Sequence, residues 1–108
     1  MTVQVLKETL GLKALCLPEP NREVATGYAG DLLSWVMGRA PADAAWVTIM
    51  ANVNIVAVAM LRDVAAVIVA EGAEVGEEVV SRAAEQGINL LTSDKNAYTL
   101  CVEIAKLI

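Results

Sequence analysis

The chain predicts an α/β domain with a mostly parallel sheet of four to five strands and helices on both faces, and three observations lead there. The first is residues 64–70, VAAVIVA, an unbroken apolar run between the charged turn Arg62-Asp63 and Glu71-Gly72. A strand apolar on both sides suits the centre of a parallel sheet, because helices cover both of its faces. The second is the alternation of strand-like and helix-like segments, which implies right-handed crossovers. The third is the length of 108 residues, which accommodates one core and so a single small domain over residues 1–108.

Taken in order, Thr2 is placed to cap a first helix carrying Val3, Val5, Leu6 and Leu10, and Gly11 to end it. Residues 13–17 form a short strand, stopped by the turn Pro18-Glu19-Pro20-Asn21. Residues 23–26 are expected as a second, shorter strand, followed by GYAGD at 27–31 as a flexible turn into a helix over 32–37, with Gly38 as its stop. After a loop at 40–43, residues 45–50 form a strand bearing Trp46 and Val47. The turn 51–54 leads into a short buried helix that an Asn caps. Beyond the 64–70 strand, residues 76–86 form a helix with Glu77 and Glu78 in the first turn, where the helix dipole favours them, and Gly87 at its end. Residues 89–92 make a last short strand, and Ser93-Asp94 is expected to cap a final helix with Ala97, Leu100, Cys101, Ile104, Ala105 and Ile108 on one stripe.

Composition narrows the function classes. The chain is 56% hydrophobic with a mean hydropathy of +0.54, more than a domain this small buries by itself, so an interface or a membrane must take up the excess. Arg62 and Asp63 split the longest apolar region at the depth where a bilayer penalises charge most, and residues 1–20 hold no apolar segment behind a basic start. The expectation is a soluble, cytoplasmic homo-oligomer, with no membrane partner. A net charge of −5 with scattered Lys and Arg offers no footprint for a phosphate backbone, so nucleic acid is not an expected partner. The absence of His removes the commonest general base and metal ligand together. Cys16 and Cys101 lie in apolar contexts without CxxC spacing, as buried free thiols of a reducing compartment do.

In open parallel sheets ligands collect outside the carboxyl ends of the strands. Three turns fall there, holding Asn52 and Asn54, Glu71 and Gly72, and Ser93 and Asp94; Tyr28, Gly30 and Asp31 extend the same rim if the strands that carry them are neighbours. These nine residues are the candidate ligand-binding set, with no metal site and no defined cofactor among them. Each also has a plain structural role. Asn54, Ser93 and Asp94 are cap types that capping alone would explain, Asp31 suits an N-cap, and Glu71 directly after a buried strand is either solvated or used. Trp35 and Trp46 suit a core or an interface, where one edge of the indole stays wet. No phosphate-binding Gly-rich loop, nucleophile elbow or Cys/His metal spacing is present, so no catalytic residue is expected.

Over about residues 45–108, AWVTIMANVNIVAVAML followed by AAVIVAEGAEVGEEVVSRAAEQGINLLTSDKNAYTL resembles the DRTGG-domain family. The same module is similar to the N-terminal domain of HPr kinase/phosphorylase and the central region of some phosphate acetyltransferases. The upstream GYAGDLLSWVMG looks like a stand-alone subgroup of short bacterial and archaeal members. Ala51-Asn52 stands where the namesake Asp-Arg would fall and Ala70-Glu71-Gly72 where Thr-Gly-Gly would, so only Gly72 keeps the pattern. The resemblance implies a non-catalytic regulatory or ligand-sensing module, a homodimer acting on a partner protein, with a small anionic or nucleotide-like ligand. Two other readings remain open: a purely structural interaction subunit without a small-molecule site, and, less favoured, a small enzyme using Asp31, Glu71 and Asp94.

Overall fold

The computed structural model describes residues 1–108. It runs α1 (Val3–Leu10), β1 (Lys13–Cys16), β2 (Thr26–Ala29), α2 (Leu33–Arg39), β3 (Ala44–Thr48), α3 (Asn54–Arg62), β4 (Ala66–Val69), α4 (Glu77–Glu85), β5 (Leu90–Thr92) and α5 (Ala97–Leu107). One five-stranded sheet has the order β1-β5-β4-β3-β2. Strands β2, β3, β4 and β5 are parallel, and only β1 pairs antiparallel, with β5. The expected α/β architecture is therefore present, with helices on both faces.

The central strands divide their side chains between two cores. From β3 and β4, Trp46, Val67 and Val69 pack with Val36 of α2, Ile55 and Ala59 of α3 and Val79 of α4. Their alternates Ala45, Val47, Ala66 and Ile68 pack with Val3 and Leu6 of α1 and Leu100 and Ile104 of α5. All four residues of β4 are buried, which explains why its sequence is continuously apolar. At about 25 cal/mol per Å² of apolar surface, these two layers supply most of the driving force for folding.

Local signals account for several boundaries. The Thr2 hydroxyl accepts from Val5 N at 3.2 Å and Gly11 takes φ 65°, so α1 begins and ends as its caps dictate. Other boundaries differ from expectation. The second strand is not 23–26 but β2, so the stretch anticipated as a flexible turn forms strand through Gly27, Tyr28 and Ala29, because β3 offers it a parallel partner in register. Helix α2 continues through Gly38 to Arg39, whose guanidinium lies 4.0 Å over the Trp35 ring. The helix after β3 has Val53 at its N-cap position, with Asn54 already in the first turn. Helix α5 is capped by Asn96, not by Ser93-Asp94: the Asn96 carboxamide accepts from Thr99 N at 2.8 Å.

Two polar clusters secure the end of the molecule opposite the strands' carboxyl termini. Asp43 and Asp63 both adopt left-handed backbone, at φ 62° and 55°, just before β3 and near β4. Arg22 Nη2 donates to Asp43 Oδ1 at 3.0 Å and to Asp63 Oδ1 at 2.8 Å. Burial pulls the Arg22 pKa down, but the hydrogen bonds and charges of Asp43 and Asp63 outweigh it and raise it overall. Asn89, 2% exposed, donates to the Glu19 and Ala65 carbonyls and accepts from Glu19 N. Every buried side-chain nitrogen and oxygen has a partner.

Candidate functional site

Because β2 to β5 are parallel, the turns after them share one rim of the sheet, and the nine candidate residues occupy or adjoin that rim. At its β2–β3 part, Gly30 N donates to Val47 O and Trp46 Nε1 donates to Gly30 O at 2.9 Å. A side chain on Gly30 would press within 3.2 Å of Tyr28 Cε2, so the phenol, half-buried on β2, and the glycine are matched by close approach. Asp31 Oδ1 accepts from Thr48 Oγ1 and from Ile49 N, both at 2.8 Å. The buried Thr48 hydroxyl in turn accepts from Met50 N at 3.1 Å. Asp31 therefore fastens the end of β2 to the end of β3.

Between the two ends of the rim, Asn52 Oδ1 accepts from Asn54 N at 2.9 Å, an Asx turn that orients the first residues of α3. Both Asn side chains are exposed. At the β4–β5 part, Glu71 and Gly72 take φ 64° and 65°, and Ala73 N donates to Ala70 O across them. Positive φ at both central residues marks a primed turn, which costs a non-glycine residue on the order of 1–2 kcal/mol. Neighbouring bonds hold it: Glu71 N donates to Lys95 O, Gly72 N to Ser93 O, and Ala97 N to Glu71 Oε2 at 3.2 Å. Asp94 Oδ1 lies so close over Gly72 that an added Cβ would approach it to 3.2 Å. The Ser93 hydroxyl accepts from Lys95 N at 3.1 Å.

The structure thus gathers Tyr28, Gly30 and Asp31 at one place and Glu71, Gly72, Ser93 and Asp94 at another, with Asn52 and Asn54 between them at the start of α3. Two clefts adjoin these groups. A polar one of about 270 Å³ lies between the α1–β1 turn and the end of β5, lined by Leu10, Gly11, Lys13, Thr92, Ser93, Asp94 and Lys95. A larger apolar groove of about 480 Å³ runs between β2 and α5, with Tyr28, Cys101, Ile104 and Ile108 among its walls. Neither cleft joins Asp31, Asn54 and Glu71. Asp31 serves the β2–β3 end and Glu71 the β4–β5 end, each through bonds to backbone amides.

Lys13 and Lys95, which line the polar cleft, and Thr48, which holds Asp31, are not among the residues the sequence singled out. Lys13 opens β1, whose place beside β5 brings it to the polar cleft, and nothing local marks that long-range pairing. Lys95 follows Ser93-Asp94 directly and was readable as a cation beside a polar turn; its Nζ pairs with Glu103 of α5 at 2.6 Å. Cys101, on α5, has its thiol pKa pushed up by burial. The Cys16 thiol is also raised by burial, partly offset by the Leu90 amide, and it donates to Ile88 O. No three His, Cys, Asp or Glu side chains converge as a metal-holding group. No helix is long and apolar enough to cross a membrane.

No protein-family model matches the chain, and no curated protein matches it by sequence. A solved structure does match in fold, at a TM-score of 0.68 and 15% sequence identity, over 92% of this chain and 44% of the other. It is the CBS and DRTGG domains of the regulatory region of Clostridium perfringens pyrophosphatase, in complex with the activator diadenosine tetraphosphate. The chain spans less than half the length of that structure. The likeness is one of fold: the α/β arrangement of this chain matches part of that structure.

Proposed function

We propose that the chain is a non-catalytic regulatory module, a cytoplasmic homodimer that senses a small anionic or nucleotide-like ligand and passes its state to a partner protein. The observation that carries the reading is the polar cleft at the end of β5, where Ser93 and Asp94 stand between Lys13 and Lys95. The Lys13 ammonium and the Ser93 hydroxyl suit a phosphate, with the Lys95 ammonium available once it leaves Glu103, and a carboxylate suits a ribose hydroxyl. The cleft has room for a phosphate or sugar, and the remainder of a nucleotide would lie across Gly72 toward Asn54 and Asn52. In this reading Tyr28, Gly30, Asp31 and Glu71 shape the rim that receives it. Fold similarity to a nucleotide-bound regulatory region supports the ligand class.

Thermal unfolding against a panel of mononucleotides, dinucleoside polyphosphates and sugar phosphates tests this. A ligand at a hundred times its Kd stabilises by about 2.7 kcal/mol, a rise of roughly 11–22 °C for a domain of this size. Lys13→Ala and Asp94→Ala, both at exposed positions, are expected to abolish the rise while leaving the unliganded Tm nearly unchanged. No rise from any compound overturns ligand sensing. One observation favours a second reading, an interaction subunit without a small-molecule site: Asp31, Asn52, Glu71, Ser93 and Asn96 all accept bonds from rim backbone amides.

A further inference from the structure

Two surface helices of this acidic protein carry no acidic residue and no lysine. Helices α2, LSWVMGR, and α3, NIVAVAMLR, hold only Arg39 and Arg62 as charges, and Arg62 Nε is already bonded to Ala40 O at 2.8 Å. By contrast α4, on the same side of the sheet, reads EEVVSRAAE and keeps an ordinary solvated face. The exposed residues of α3 and its N-cap are Val53, Asn54, Ala57, Met60 and Leu61, apolar but for Asn54 in the first turn, and an exposed apolar patch of this kind is one that a partner covers. Beside it on α2 and its N-cap stand Trp35 and Leu32, 57% and 62% exposed, while Leu61 is 63% exposed. Trp, Met and Arg with little Lys, Glu or Asp is the composition of an interface core.

The geometry points to a second copy of this chain as the occupant, joined through the α2–α3 face about a two-fold axis. This inference rests on the homodimer in the proposed function and names its surface. Each helix follows a parallel strand, so α2 and α3 run in the same direction away from the rim. A two-fold axis across them sets the Arg39 end of one copy against the rim end of the other. Asp31 stands at that rim, exposed, with both of its intramolecular bonds made through Oδ1. Arg39 closes α2, whose run Leu33–Arg39 spans roughly 10 Å, and Asp31 lies just before its start, so the arrangement pairs Arg39 with the partner's Asp31 on each side of Trp35. The face is thereby complementary to itself in charge. Its exposed apolar side chains offer on the order of 500 Å², most of the ~800 Å² that each partner gives to a standard interface.

Sedimentation velocity of the full chain, from low micromolar to sub-millimolar concentration, tests the inference with Trp35→Glu, Leu61→Lys, Arg39→Glu and the distant Tyr98→Glu. The expected result is a dimeric wild type and a dimeric Tyr98→Glu, with Trp35→Glu and Leu61→Lys monomeric and Arg39→Glu dissociating at about tenfold higher concentration. All four positions are exposed, and far-UV circular dichroism verifies that each variant is folded. Fluorescence gives a second readout. Trp46 is fully buried within the subunit, so a red shift on dilution reports Trp35 and should track dissociation. A dimer that survives both face variants, or an emission that ignores dilution, overturns this surface and leaves the homodimer standing. A monomeric wild type overturns the surface and the homodimer together, while ligand-induced stabilisation remains a separate result.

Discussion

Asn89 does more for this molecule than its place at the head of a short strand suggests. Its carboxamide satisfies the Glu19 amide and carbonyl and the Ala65 carbonyl, tying the β1–β2 connection to the sheet. Asn89→Ala leaves the buried Ala65 carbonyl and the half-buried Glu19 amide and carbonyl without this partner, and the expected loss is about 1–3 kcal/mol, read as a lower urea midpoint at unchanged m-value. Nothing near position 89 announces this role, because its Glu19 partner is 70 residues away. Asp31 shows the same division. A polar residue after GYAG was legible as a rim residue, whereas its grip on Thr48 and Ile49 depends on β2 lying beside β3. Trp46 was open between core and interface, and the Gly30 carbonyl decides it by accepting the indole N–H inside the subunit.

At the scale of elements, legibility follows burial. Strand β4 was readable because helices cover both of its faces and every side chain is apolar. Strand β2 was not: TGYA alternates half-buried and exposed residues and includes a glycine, so its strand state comes from pairing with β3 and not from its own propensity. The start of α5 was misplaced for a different reason. Ser93, Asp94 and Asn96 are all cap types within four residues, and only the backbone, extended at Asn96 with φ −70° and ψ 160°, selects among them. Asn96→Ala should therefore cost about 1 kcal/mol, a fall in Tm of roughly 4–8 °C, with a smaller effect from Ser93→Ala. Differential scanning calorimetry of the two variants checks that order.

For the molecule as a whole, the thiols report how the two cores are closed. Cys16 packs against the α2–α4 layer and Cys101 against the α1–α5 layer, and burial raises both pKa values in the folded state. The folded protein then holds these protons more tightly than the unfolded chain, whose thiols titrate near 8.5. The stability they contribute is complete below that value and is lost as pH rises through the folded pKa values. Tm should be level at neutral pH and fall above about pH 8.5, with a shallower fall in a variant carrying Cys16→Ala and Cys101→Ala. The mostly parallel sheet was legible from alternating segments, but not the return of β1, which pairs with a strand near the other end of the chain. That return bears on biogenesis. Strand β5 sits between β1 and β4, so a chain emerging from the ribosome has no complete sheet until Leu90–Thr92 is out. Until then, β1 has no partner and the apolar AVIV edge of β4 stands open, so nascent chains are most exposed to mispairing just before β5 arrives.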